Sequence, residues 1–429
     1  MTRMGVFARA GATGINWRVL EWWGAGLALF IFSGAVLPMI LAPDGLTHDA
    51  RARLQAVNLV AYAVTLVLLA RHPRALRLAL MRNLPFLALL VLPFVSVLWS
   101  ISGSISLTRA IALTLSSSLA FLIAIRFTPR QFALLVALVM GPAIFASIAL
   151  GIVAPGVANM PADEPAAGLR GVFVHKNVLG WYAALTLLVA IALIRDRAAP
   201  RAQALALAVA SAACLLAANS ATGLIVVAAA GALFLFHVAF ARLRDAGRLV
   251  LLFLALAASL IFVVGFGALV APALEALGRD PTLTGRTTLW RHVDAAIGRS
   301  AFVGFGYQAF WSDANPEAWR IRTLVDWVTP HAHNGYRDIL LNFGLVGAAF
   351  FAWAMLRAVV QGALLNLRRP REGWLWLNVL LGAYLVMNAT ETQFLVQNEA
   401  LSVVLSAALI MVGLRAPEAR APTPARGSP

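Results

Sequence analysis

Apolar runs of about 17 to 25 residues recur from one end of this chain to the other. Each is long enough to cross bilayer hydrocarbon as a helix, and none shows the short alternating pattern of a membrane strand. Hydrophobic residues make up 61% of the 429 and charged residues only 12%, roughly half the charge of a soluble domain. Lipid offers the backbone no hydrogen-bond partners, so such a chain must satisfy its own groups in helices or a closed barrel. The run lengths select helices. The expectation is an all-α integral membrane protein with roughly twelve transmembrane helices, near 20–41, 54–70, 84–100, 105–125, 132–154, 177–194, 202–218, 221–240, 248–270, 336–358, 374–390 and 397–414. The first run is long and lacks an evident cleavage site, so it reads as a span and not as a removable signal.

The net charge of +16 invites a nucleic-acid reading, but its distribution argues against one. Lys176 is the only lysine, and the arginines crowd into alternate connections: "RHPRALRLALMR", "RFTPR", "RDRAAPR", "ARLRDAGR" and "LRRPRE". Positive charge retained on the cytoplasmic side explains this alternation and places both termini there. Membrane lipids are then the partners of these arginines, and no nucleic acid is expected. The single cysteine, Cys214, excludes an intramolecular disulfide and argues against a cysteine-held metal.

The organisation that follows is a cytoplasmic N-terminus (1–19), spans one to nine (20–270), and spans ten to twelve (336–414). A Pro/Ala-rich tail (415–429) reads as disordered. Two longer connections, 155–176 and 271–335, fall on the non-cytoplasmic side by the same count. Long loops with varied composition are commonly functional. The second holds several tryptophans and is expected to fold as short helices packed on the membrane face, with Leu289, Trp290 and Val293 turned to the membrane. No internal repeat is evident.

Candidate chemistry lies in those connections. In "GLRGVFVHKNVLGWYAA", Arg170, Lys176 and Asn177 precede a span. Lys176 reads either as an anchor that reaches the headgroups or as part of a cationic clamp for phosphate, which suits arginine's planar fork and a helix N-terminus. In "TLTGRTTLWRHVDAAIGR", Arg286 starts a helix, where a cation opposes the helix dipole unless an anion arrives. Arg291 lies on the same helix. Arg109, early in the fourth span, is costly there and reads as facing a site. "TPHAHNGYRDILLNFGLVG" places His331, His333 and Asn334 against an apolar run. The pair reads as a capped helix start, as metal ligands for which no third ligand is evident, or as a general base near neutral pH. Asp338 and Arg337 read as a simple pair, and Glu21 as interfacial. Asn388, Glu391 and Gln393 form a polar cluster beside a later span. No cofactor is called for.

Taken in order, "RGVFVHKNVLG", "NSATGL", "TGRTTLW" and "HAHNGYRDILLNFGLVG" resemble the O-antigen ligase family of bacterial membrane glycosyltransferases, which includes O-antigen and exopolysaccharide polymerases. The "HKN" form is similar to that of exopolysaccharide polymerases of the succinoglycan type. The likeness is clearest over about 165–350. It implies an inner-membrane helical bundle that takes a glycan from undecaprenyl diphosphate on the periplasmic side, without a metal, and joins it to an acceptor hydroxyl. By the same resemblance Arg170 and Arg286 would hold the diphosphate and His333 would activate the acceptor, while His331 matches a more variable position. Lys176, Asn177, His331, Asn334, Arg291 and Arg109 are the expected substrate-binding residues around them. The expected acceptor is another glycan for a polymerase, or lipid A core (or a protein) for a ligase. A chain-length regulator is a further partner that polymer systems use. A transporter or flippase of lipid-linked glycan is the reading from a different class; the lack of a repeat and of matched broken spans speaks against it.

Overall fold

The computed structural model describes residues 16–42, 47–161, 167–257 and 285–420. Among these it is helical apart from one isolated bridge between Asn159 and Leu169. In chain order the main helices are α1 (Trp17–Ser33), α2 (His48–Ala70), α3 (Pro73–Arg82), α4 (Leu84–Val95), α5 (Gly103–Arg126), α6 (Pro129–Val153), α7 (Lys176–Asp196), α8 (Arg201–Ala217), α9 (Ala221–Arg242), α10 (Arg286–Arg299), α11 (Pro316–Val325), α12 (Gly335–Arg368), α13 (Trp374–Met387) and α14 (Ala400–Arg420).

Seven of these are long and apolar enough to cross a membrane: α2, α5, α6, α7, α9, α12 and, over Ala400–Glu418, α14. The chain is therefore a multi-pass membrane protein. The other expected spans differ in form. Pro73–Arg82 and Leu84–Leu98 make one apolar pair bent by 92°, while α8 and α13 are shorter apolar helices. The ninth expected span, 248–270, lies mostly outside the described residues, although 245–257 are helical. The expected tail from 415 also begins as helix, through Arg420. Residues 421–429 and 271–284 lie outside the described residues.

The bundle is organised around α14, whose apolar window is 89% buried. It packs on α5 and α12, while α13 pairs with α9 and α7 with α8. A second, smaller core lies beyond the helix ends. There Leu289 and Val293 of α10 are fully buried with Phe310, Ile321 of α11 and Leu341. The expected membrane-facing surface of α10 thus faces protein: an amphipathic pattern reveals an apolar face without revealing what covers it. Glu21, expected to be interfacial, is 1% exposed and paired with Arg18, Arg126 and His72, which fits the rule that buried charges are paired.

Helix α12 is broken at Gly344 (φ 59°, ψ −154°). Residues 301–305 fill the break: Phe305 N donates to Leu341 O at 2.7 Å, and Leu345 N to Ala301 O at 2.8 Å. Irregular backbone within a membrane protein survives where protein satisfies it in this way. A Cβ on Gly344 would strike the Phe302 carbonyl, at a φ that L residues avoid. Gly344→Ala is expected to cost roughly 2 kcal/mol or more. Thermal unfolding in detergent checks this, and an unchanged midpoint would show that the break is not needed.

Candidate active site

At the end of the bundle where α7, α9 and α12 begin, one carboxylate organises the surrounding polar groups. Gly285, at φ 81°, ends the preceding backbone and starts α10 without a side-chain cap. Arg286 follows, and its Nη1 donates to the Thr390 carbonyl while Nη2 donates to Glu391 Oε1 at 2.9 Å. Glu391 Oε2 faces His333 Nδ1 at 3.4 Å. The glutamate is 1% exposed, Arg286 11% and His333 15%, so the contact lies largely out of water. Burial pushes the Glu391 carboxyl upward, but the His333 hydrogen bond and the Arg286 charge overcome this and hold it below its ordinary value. The anion that Arg286 was expected to meet at its helix start is supplied, in this structure, by Glu391.

His333 has φ 48°, a conformation histidine tolerates better than most residues. Its ring lies 4.8 Å from Trp327 and 4.0 Å from His331. His331 Nδ1 accepts from the His333 amide at 3.1 Å. Burial first, then the neighbouring His333 and Arg286, push His331 down to about 3, so it stays neutral and able to accept. With Nδ1 turned to Glu391, His333 Nε2 is buried and has no hydrogen-bond partner. In the tautomer that donates Nδ1–H to Glu391, the Nε2 lone pair is open.

The start of α12 is fastened to 388–392. Asn334 caps the helix through Arg337 N at 3.0 Å and donates to Ala389 O at 2.8 Å. Gly335 N donates to Asn388 O at 2.8 Å and Glu391 O at 3.0 Å, and Asn388 leaves no room for a Cβ there. Asp338 does not pair with Arg337. It accepts from Ala332 N, Trp311 Nε1 and Thr392 Oγ1, whereas Arg337 forms a two-pronged pair with Asp294 at 2.7 and 2.9 Å. Asn334 therefore acts first as a structural clasp.

The other expected site residues lie nearby or apart. Thr390 meets Thr222 of α9 at 3.3 Å, and Ser220 caps α9 through Gly223 N. This links "NSATGL" to the carboxylate segment. Lys176 opens α7 and is only 7% exposed, so it is not a water-facing anchor. Asn177 N donates to the helix cap, His175 Nδ1, at 3.1 Å. Arg170 is half-buried, with Nε on Val157 O at 3.0 Å, outside the Arg286–Glu391–His333 contacts. Arg109 turns to Gln308, whose carbonyl and side-chain oxygens it meets at 3.1 and 2.9 Å. Arg291 bonds Thr288 on its own helix. Among the described residues no group of three His, Cys, Asp or Glu is arranged to hold a metal. Sequence reasoning picked out Glu391 as polar without giving it a role, because it lies 58 residues from His333 and no local spacing joins them.

A buried carboxylate orienting an imidazole beside a guanidinium suits proton abstraction next to a departing anion. Residues 206–352 match the sequence model of a family described as O-Antigen ligase. This establishes the family likeness over the stretch that holds Arg286, His331 and His333; Glu391 lies beyond it. The chain is also 33% identical, over 201 residues, to "Exopolysaccharide production protein ExoQ" of Rhizobium meliloti (strain 1021). That similarity covers 44% of this chain, and the chain spans 45% of the length of that relative.

Proposed function

We propose that the protein is a polysaccharide polymerase that transfers an oligosaccharide from undecaprenyl diphosphate to a sugar hydroxyl of another glycan, at the periplasmic face of the inner membrane. The observation that carries this reading is the buried, unpartnered Nε2 of His333, with its ring oriented by Glu391 next to Arg286. In the proposed step, Nε2 takes the proton of the acceptor hydroxyl. The oxygen attacks the anomeric carbon, the bond from that carbon to the diphosphate breaks, and the lipid diphosphate leaves with the electron pair. Arg286, through its remaining N–H groups, and Arg170 receive its charge. Direct displacement inverts the anomeric centre. Lys176, Asn177, His331, Arg291 and Arg109 are assigned to the surrounding glycan and lipid contacts.

Arginine-rich connections at the opposite ends of the helices support the orientation. The span number reaches about twelve when the bent pair, α1, α8, α13 and the helix at 245–257 are counted with the seven long helices. The relative's role in its name, exopolysaccharide production, favours the polymerase. The family description, O-Antigen ligase, favours the ligase reading.

The test is incubation of purified protein with undecaprenyl-diphosphate oligosaccharide alone, in EDTA. Lengthened glycans together with released lipid diphosphate are the expected result. Product only after lipid A core is added would assign the ligase. Binding of the donor without turnover under any acceptor would overturn the enzyme reading in favour of transport.

A further inference from the structure

At the end of the bundle away from His333, where α6 and α13 begin and α12 and α14 end, a cavity of about 320 Å³ is lined by Phe127, Thr128, Arg130, Arg369, Arg371, Glu372, Trp374, Met411 and Arg415 among others. That volume lies in the range of small-molecule sites. Four arginines, drawn from three separate parts of the chain, line it with one glutamate, Glu372, which accepts from Arg369 at 3.2 Å and Trp374 Nε1 at 2.9 Å. Glu418 borders it as the partner of Arg369 at 2.7 Å and Arg415 at 3.1 Å. Asp196 lies against Gly373. Cations remain in excess even with both included.

Orientation alone explains arginines that reach water or headgroups at this end. It does not explain Arg130, whose Nε is buried without a hydrogen-bond partner. Arg371 is exposed at the rim and makes no hydrogen bond or ion pair among the described residues. Two helix starts border the same space: Thr128 to Arg130 at α6, closed by the Thr128–Gln131 capping box with Pro129 at its first position, and Gly373–Trp374 at α13, whose cap Gly373 offers no side-chain acceptor. The uncapped start of α13 leaves backbone donors and a partial positive charge. Gly373 holds φ 92° and packs 3.2 Å, by its missing Cβ, from Arg130 N, so the two starts meet closely.

We propose that this cleft binds a phosphoryl anion, at the face opposite the proposed transfer site. Guanidinium forks match phosphate oxygens two at a time. The Phe127, Trp374 and Met411 wall suits a group with apolar matter beside its phosphate, as an anionic phospholipid headgroup presents; soluble phosphate offers the same oxygens. The inference is independent of the transfer reaction.

The experiment counts lipids retained on the delipidated, detergent-purified full chain by native mass spectrometry, with phosphatidylglycerol or phosphatidylcholine added, and follows thermal midpoint with inorganic phosphate. Wild type is expected to retain phosphatidylglycerol in preference to phosphatidylcholine, about tenfold more strongly than Arg130→Gln or Arg371→Glu. Arg371 is exposed and makes no hydrogen bond or ion pair among the described residues, so its variant is expected to fold even if Arg130→Gln does not. Arg77→Gln, an exposed arginine of α3 outside the cleft, is expected to bind as wild type. A midpoint raised by phosphate in wild type alone, with no lipid retained, would support the site with a soluble ligand. Equal behaviour of wild type and Arg371→Glu, or an Arg77→Gln loss as large as theirs, would overturn it.

Discussion

His333→Asn is expected to lower glycan transfer by about 10²- to 10⁴-fold, the range lost with a general base, while leaving the protein folded in detergent. Asparagine is the informative replacement because His333 sits at φ 48°. Asparagine accepts that left-handed conformation well, whereas alanine adds backbone cost of about 1 kcal/mol. His333→Ala should therefore lose the same activity and some stability besides. The two variants separate chemistry from folding. Product length and lipid diphosphate release give the rate, and thermal unfolding gives the stability. Transfer at the wild-type rate by a well-folded His333→Asn protein would remove His333 from the mechanism.

The second large effect is expected at Glu391. Its carboxylate joins Arg286 to His333 in a largely dry setting. Removing it as Glu391→Ala leaves a nearly buried guanidinium without its counter-charge, and breaking such pairs costs about 3–5 kcal/mol. Glu391→Gln keeps the shape and an oxygen acceptor but not the charge. It should fold, yet lose about 10²-fold or more in transfer, because the imidazole is no longer stabilised in the protonated form it takes during reaction. Acid sensitivity gives a second readout. The folded pKa of Glu391 lies below the ordinary 4.5. Its charge thus contributes stability that is fully present above the unfolded value and is lost as pH falls through the lower folded value. The Gln variant should lack that part of the acid transition. If Glu391→Gln transfers glycan normally, the orienting role is wrong, whatever the fate of the Ala variant.

Most of the helical architecture was legible because lipid-length apolar runs carry their own signal. Legibility stopped where partners are distant in sequence. The pattern around Leu289 and Val293 announced an apolar face, but Phe310, Ile321 and Leu341 cover it, not lipid. Asp338 looked like a partner for adjacent Arg337, yet neighbours on a helix point in different directions, and each found its partner elsewhere. Arg286 at a helix start reads as awaiting an anion that arrives, and the structure places Glu391 beside it. The identity of that anion, Glu391, depended on how 388–392 folds against the start of α12, which no spacing encodes. Arg109, expected to face a site, turns instead to Gln308, a partner 199 residues away in sequence.

The interruption of α12 also bears on how the protein is made. Its two halves cannot stand alone as a span, since the Leu341 carbonyl and the amides of Leu345 and Val346 meet their partners only in residues 301–305. Those five residues come earlier in the chain, so they leave the ribosome before the segment that depends on them. The chain order thus supplies the filling before the gap.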